Sequence, residues 1–127
     1  MHTDEHRLDL NAITERVIGC AFSVLNTLGC GFLEKVYENA LLYEMRQTGL
    51  KVTQQKPFDV VYKGQVVGQY VADLLVEDCV LVELKAVQAL NDVHMAQCLN
   101  YLKASGLKLC LLLNFAKPKL EIKRVSN

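Results

Sequence analysis

Three charged residues sit in unusually apolar company. Glu83-Leu84-Lys85 lies within Cys79–Val87, a stretch otherwise free of charge. Side chains alternate along an extended chain, so Glu83 and Lys85 project from one face, two residues apart. Asp73 stands ten residues earlier, alone among the apolar residues of Tyr70–Val76. Inner strands seldom carry charge unless it is paired or used. A structural account is an ion pair on a half-exposed strand. A chemical one is a site for a hard cation and hydrolysis. Two carboxylates ~5 Å apart repel by roughly 3 kcal/mol at an effective dielectric of about 20. A divalent cation, or one raised pKa, relieves that repulsion. Oxygen ligands beside a lysine suit Mg²⁺ or Mn²⁺ rather than zinc.

Register decides whether the two acids meet. A two-residue loop at Glu77-Asp78 pairs Val76 with Cys79 and sets Asp73 against Val82, on the wrong face. A three-residue connection, or one bulge, sets Asp73 against Glu83. The pattern alone leaves both open, and the chemical account requires the second.

Two further elements carry candidate groups. Glu34 follows the break Gly29-Cys30-Gly31 and opens a helix, where a carboxylate also suits the positive end of the dipole. His94, Gln97 and Tyr101 share a stripe of a later helix where Leu, Val or Ile would be usual in a core. The structural account is a partly exposed polar face with Tyr101 half-buried.

The elements that must position these groups follow from periodicity. Residues 7–28 place Leu10, Ile13, Val17, Ala21, Val24 and Leu28 at helical spacing. A second helix runs from about Leu33 to Thr48, with Leu33, Tyr37, Ala40, Leu41 and Met45 on one side and Gly49 as its stop. Leu50–Gln55 and Phe58–Tyr62 favour extended structure, with a turn at Lys63-Gly64. Val66–Val76, interrupted near Gly68, and Cys79–Val87 are strands. Leu90 to about Ser105 is a helix, with Asn91 as N-cap and Gly106 as stop. Leu107–Asn114 reads as a strand buried on both faces, and Lys119–Val125 as an edge strand. The order α-α-β-β-β-α-β-β predicts one α/β domain over residues 1–127, built on a central mixed sheet.

Composition narrows the function classes. The chain has 127 residues, 51% apolar and 22% charged, with zero net charge, which excludes a disordered or low-complexity chain. The longest apolar runs, Cys79–Val82 and Leu109–Leu113, are too short for a bilayer, so no membrane role is expected. The charged start MHTDEHRLDL lacks a signal-peptide core, and the expected location is the cytoplasm. Five cysteines without a CxxC exclude zinc-ribbon and redox-motif spacing and suit reduced thiols. Residues 103–127 carry six bases against Glu121, a net of +5. Lys117, Lys119, Lys123 and Arg124 are candidate phosphate contacts there, with a solvated last strand as the plainer account.

Taken together these motifs resemble a known family. Gly31-Phe-Leu-Glu34-Lys-Val-Tyr37 is similar to the GxxExxY motif of small bacterial proteins within the PD-(D/E)XK nuclease superfamily. Asp73 with Glu83-Leu84-Lys85 resembles that superfamily's D-(about ten)-ExK signature, with Ala72 where a proline often stands. Gln97-Cys-Leu-Asn-Tyr101 resembles the QxxxY motif of its exonuclease-like branch. The resemblance spans about residues 10–125 and implies a restriction-endonuclease-like αβββαβ core, a central mixed sheet flanked by helices. It implies Mg²⁺- or Mn²⁺-dependent phosphodiester hydrolysis, with DNA as the substrate. Glu34, Asp73, Glu83 and the Leu84 carbonyl would be metal ligands. Lys85 would activate water and stabilise the developing charge, and Gln97 and Tyr101 would position the phosphate or Lys85. A neutral chain of this size also fits a nuclease-like fold acting as a non-catalytic DNA- or protein-binding module. A hydrolase of another phosphate ester is a third reading. A homodimer with two-fold symmetry would enlarge the surface offered to a duplex.

Overall fold

The computed structural model describes residues 2–127, with side chains from Leu10 onward. Helix α1 (His2–Leu28) starts ahead of the amphipathic pattern, and the side chains before Leu10 lie outside the described residues. Then come α2 (Glu34–Gln47), β1 (Val52–Tyr62), β2 (Gln65–Val76) and β3 (Val80–Lys85). Helix α3 (Asp92–Ser105), β4 (Leu109–Asn114) and β5 (Glu121–Ser126) complete the expected order. The strands form one sheet in the order β1-β2-β3-β4-β5. Every pair is antiparallel except β3–β4, which is parallel and joined through α3. This is the mixed sheet flanked by helices that the sequence predicts.

Two apolar layers hold the sheet. On one face Val17, Val24, Tyr37, Leu41 and Met45 from α1 and α2 pack on Val80, Val82, Leu84, Leu111 and Leu113. On the other, Cys98 and Leu102 of α3 pack on Leu81, Cys110 and Leu112. Alternation in β3 thus sends Val80, Val82 and Leu84 to the first face, and puts Glu83 and Lys85 in phase with Leu81, on the α3 side. The sheet's central strands are covered on both sides, which explains the nearly unbroken apolar run of β4.

Several local expectations change. The two extended segments before Tyr62 are one strand, because Pro57 lies on the edge strand β1, where a missing N–H is tolerated. The interruption near Gly68 is a register shift: Val60 pairs with Gly68 but Val61 pairs with Val66, leaving Val67 extra. Leu33 is not a core residue. It is the extended N-cap of α2 and 80% exposed, because helical phase applies only from Glu34 onward. Asn91 caps α3 as expected, accepting the His94 N–H at 3.1 Å, and Gly106 closes it at φ 74°. His94 completes a capping box: its Nδ1 accepts the Asn91 N–H at 3.2 Å, which removes it from the proposed functional stripe.

Candidate active site

The β2–β3 turn settles the register. Glu77 and Asp78 both have positive φ, 52° and 57°, and the Cys79 N–H donates to the Val76 carbonyl at 3.0 Å. Yet Val76 pairs with Val80, Leu75 with Leu81 and Leu74 with Val82. Cys79 is therefore an added residue, with Cys79 and Val80 together opposing Val76. Lys51 holds this turn. Its N–H donates to the Glu77 carboxylate at 2.6 Å, and its Nζ pairs with Asp78 at 2.7 Å. The register continues to Asp73 opposite Glu83, the arrangement the chemical account requires.

The strands part at that point. The β2–β3 pairing ends at Leu74–Val82, and side chains take over from backbone. The Asp73 N–H donates to Glu83 Oε2 at 2.9 Å, and the Leu84 N–H donates to Asp73 Oδ2 at 2.9 Å. Each carboxylate caps the strand that carries the other, and each keeps one oxygen out of this exchange. The N–H and C=O of one strand residue point the same way, so the Leu84 carbonyl also faces Asp73. The Lys85 carbonyl points oppositely and accepts the Phe115 N–H at 2.9 Å.

Asp73 is unladdered on its other flank too. Gln54 pairs with Leu74 and Lys56 with Ala72, but Gln55 stands out of the ladder at φ 55°. The faces change phase here: Tyr70 and Ala72 belong to the α3-side layer, and so does Leu75 beyond the break. The kink lets consecutive residues point one way. Gln54 and Gln55 both donate to Glu38 Oε2, at 2.7 and 2.9 Å, and Lys35 Nζ reaches the same oxygen at 3.0 Å.

Glu38 is the group that sequence reasoning missed. It is 3% exposed, one helical turn after Glu34, and held by three donors on one oxygen. A glutamate four residues after Glu34, directly following the motif tyrosine, was the available signal. Glu34 itself is exposed at the start of α2. Tyr37 anchors that helix start: its hydroxyl donates to the Gly29 carbonyl at 2.7 Å and accepts the Phe32 N–H at 3.1 Å. Its ring stacks on Phe115 at 4.9 Å. Gly31 at φ 110° turns the intervening loop, a conformation side chains rarely adopt. The glycine and tyrosine of the motif are thus structural, and they set where Glu34 begins α2.

Electrostatics mark the acids as strained. Burial pushes the Glu83 carboxyl up to about 9, the Asp73 charge adds to this, and the Asp73 N–H and Lys85 oppose it. Burial also raises Asp73; the Leu84 N–H opposes that rise, Glu38 and Glu34 add to it, and Lys85 lowers it. Both Glu34 and Lys85 therefore act on the Asp73–Glu83 pair. Tyr101 is raised by burial and then by Glu83, so α3 brings it within reach of the same charge. Its ring stacks on Tyr70 at 3.7 Å. Tyr70 Oη is buried with no hydrogen-bond partner, which makes it the one such side-chain atom among the described residues. Gln97 is exposed, and its side chain forms no hydrogen bond among the described residues. Asn114 fixes the chain beyond Lys85, accepting the Val87 N–H at 3.0 Å and donating to the Val87 carbonyl at 2.8 Å.

The donor set fits a hard dication: the buried Glu83 and half-buried Asp73 carboxylates opposed across a strand gap, a carbonyl turned toward them, and burial with neighbouring negative charge raising both acids. Among the described residues no three His, Cys, Asp or Glu side chains close around one point, so Glu34 and Glu38 flank the pair rather than complete a cage with it. The basic C-terminal strand contributes less than its charge suggests. Arg124 is committed to α1, donating to Thr14 Oγ1 at 2.9 Å and Asn11 Oδ1 at 2.7 Å, whereas Lys117, Lys119 and Lys123 are exposed. No helix among the described residues is long and apolar enough to cross a membrane.

Comparison with curated proteins gives no match. Among solved structures, the crystal structure of SSO0001 superposes with a TM-score of 0.59 at 12% identity, covering 73% of this chain and 49% of that one. The chain thus spans about half the length of that structure, and the likeness concerns the fold alone. Residues 11–125 match the family model of the PD-(D/E)XK nuclease superfamily.

Proposed function

Because the chain belongs to the PD-(D/E)XK nuclease superfamily, we propose that it hydrolyses phosphodiester bonds of DNA with the help of Mg²⁺ or Mn²⁺. The observation that carries this reading is the opposed Asp73–Glu83 pair, each acid capping the other's strand. Asp73, Glu83 and the Leu84 carbonyl would hold the cation, with Glu34 and the buried Glu38 at its flank. Bound there, the cation supplies Lewis acidity toward the phosphate and lowers the pKa of a coordinated water. Gly31, Glu34 and Tyr37 support placement within the GxxExxY group.

The chain's own residues divide the remaining work. Lys85 shares a strand face with Glu83 and acts on both acids. Its ammonium offers a fixed positive charge to the pentavalent phosphorus oxygens and a proton partner to the attacking water. Tyr101, at the edge of the same charge, positions the substrate phosphate or the Lys85 stem. Gln97, exposed one turn earlier, reaches the phosphate only when substrate is present. A reducing cytoplasm suits the free cysteines, and a two-fold dimer would give a duplex a broader seat.

Cleavage of single-stranded, duplex and branched DNA with Mg²⁺ or Mn²⁺ tests the reading, run beside Lys85→Ala and Asp73→Ala. Native activity lost in both variants, with folding retained, is the expected result. Equal behaviour of native protein and variants on every substrate would overturn it.

A further inference from the structure

One cavity lies beside the two acids without containing them. It is a groove of about 540 Å³ between the β1–β2 hairpin and α3. Asp59, Val60 and Val61 form one wall, with the Asp59 carboxylate accepting from the Gln69 amide at 3.2 Å, and Asn100, Lys103 and Ala104 form the other. Tyr70 and Tyr101 line it as well, and both feel the charge of Glu83. The groove and the acids therefore share an aromatic border.

The chemistry of the groove is mixed in a specific way. Phe58, Tyr70 and Tyr101 form a run of near-parallel rings, with centroids 5.5 and 3.7 Å apart. Tyr101 ends that run, with Tyr70 as its one ring neighbour among the described residues, and it is half-buried. Beyond Asp59 the opposite wall is apolar and wet: Val61 is 60% exposed, and Tyr62, Val66 and Val67 extend the same hairpin surface at 61, 62 and 60%. Asn100 offers an amide with two donors and an acceptor, and Lys103 a cation. A flat apolar ring with polar edges, attached to an anion, answers all of these at once.

We propose that this groove holds an unpaired nucleobase next to the phosphodiester under attack, so that the preferred substrate is single-stranded or locally opened nucleic acid. The base stacks against Tyr101, the hairpin valines cover its other face, Asn100 meets its edge, and Lys103 meets the adjoining phosphate. A base inside a duplex cannot enter, since its faces are taken by neighbours and its edge by its partner. The inference deepens the nuclease reading and rests on it for the identity of the substrate, while the groove's own binding is measurable without cleavage.

The test is binding of a short fluorescent oligonucleotide with Ca²⁺ in place of Mg²⁺. It is compared with the same sugar–phosphate chain lacking bases and with a blunt duplex of the same sequence. The base-bearing single strand should bind about tenfold more tightly than either, within the range one stacked base contributes. Ala104→Phe, which fills the groove, and Asn100→Ala should each weaken single-strand binding about tenfold and leave the duplex unchanged. Thermal melting verifies folding, and Asn100→Ala decides if Ala104→Phe does not fold. Equal binding of the baseless chain, or unchanged affinity in the folded variants, overturns the groove. Cleavage that ignores these variants sinks the groove and leaves the nuclease; base-dependent binding without cleavage of any nucleic acid sinks the nuclease and leaves the groove.

Discussion

Tyr37→Phe isolates the contribution of a single hydroxyl to the site. The ring is fully buried, and its stacking on Phe115 survives the substitution. What disappears is one bond to the Gly29 carbonyl at 2.7 Å and one from the Phe32 N–H at 3.1 Å. Each such bond is worth about 1 kcal/mol net, and Phe32 is exposed enough for water to replace part of what is lost, so the cost is about 2 kcal/mol. At a urea dependence of about 2 kcal/mol/M the unfolding midpoint should fall by about 1 M. The same loop sets the start of α2 and hence Glu34, so Mn²⁺ affinity by calorimetry should fall about tenfold, as it does when outer-shell supports of a metal are removed. The paired measurement is urea unfolding followed by far-UV circular dichroism and Mn²⁺ titration of both proteins. An unchanged midpoint refutes the anchoring role. A lowered midpoint with unchanged Mn²⁺ affinity refutes the link from anchor to site.

The remaining predictions concern the acids and the charges. Glu83 and Asp73 both have raised pKa values in the folded protein, so metal-free stability should be fullest below about pH 4.5 and fall as pH climbs through about 9. The shift of Glu83 sets a ceiling of roughly 6 kcal/mol on that fall, and Glu83→Gln should flatten the profile of melting temperature between pH 5 and 9; a native profile that is already flat contradicts the coupling. Glu38→Gln should abolish or sharply reduce cleavage while retaining the fold, since its carboxylate acts on Asp73; wild-type turnover would remove Glu38 from the site. Arg124→Ala should cost about 1 kcal/mol in urea unfolding by releasing Thr14 and Asn11, and leave DNA affinity unchanged. Neutralising Lys117 and Lys119 of the β4–β5 loop together with Lys123 of β5 should instead flatten the salt dependence of DNA binding; an unaltered slope removes that loop and strand from the interface.

The order of elements was legible because each carries its own local signal: helical spacing from Leu10 to Leu28, an Asn91 cap, and an apolar β4. The pairing of Asp73 with Glu83 was legible only as a choice between two registers, because the deciding feature is a backbone bulge at Cys79 that no side-chain pattern announces. Glu38 escaped notice because a helix surface is expected to carry glutamates. Its burial comes from Gln54 and Gln55, which reach it only through a left-handed kink in a strand distant in sequence. Leu33 misled for the opposite reason: an apolar residue at helical spacing sits just before the helix begins. Residues answering to local physics were readable, and residues answering to a neighbouring strand were not.

The bulge at Cys79 has a further consequence. With the tally of residues between the two hairpin arms odd, the acids face each other; make it even and every leucine and valine could keep its place in one arm while the acids part company. A homologue that kept the ten-residue spacing yet closed this corner with two residues would carry the motif letters without facing its two carboxylates. Loop parity, more than the presence of the motif letters, is the feature by which competent and silent copies of such a chain can be told apart.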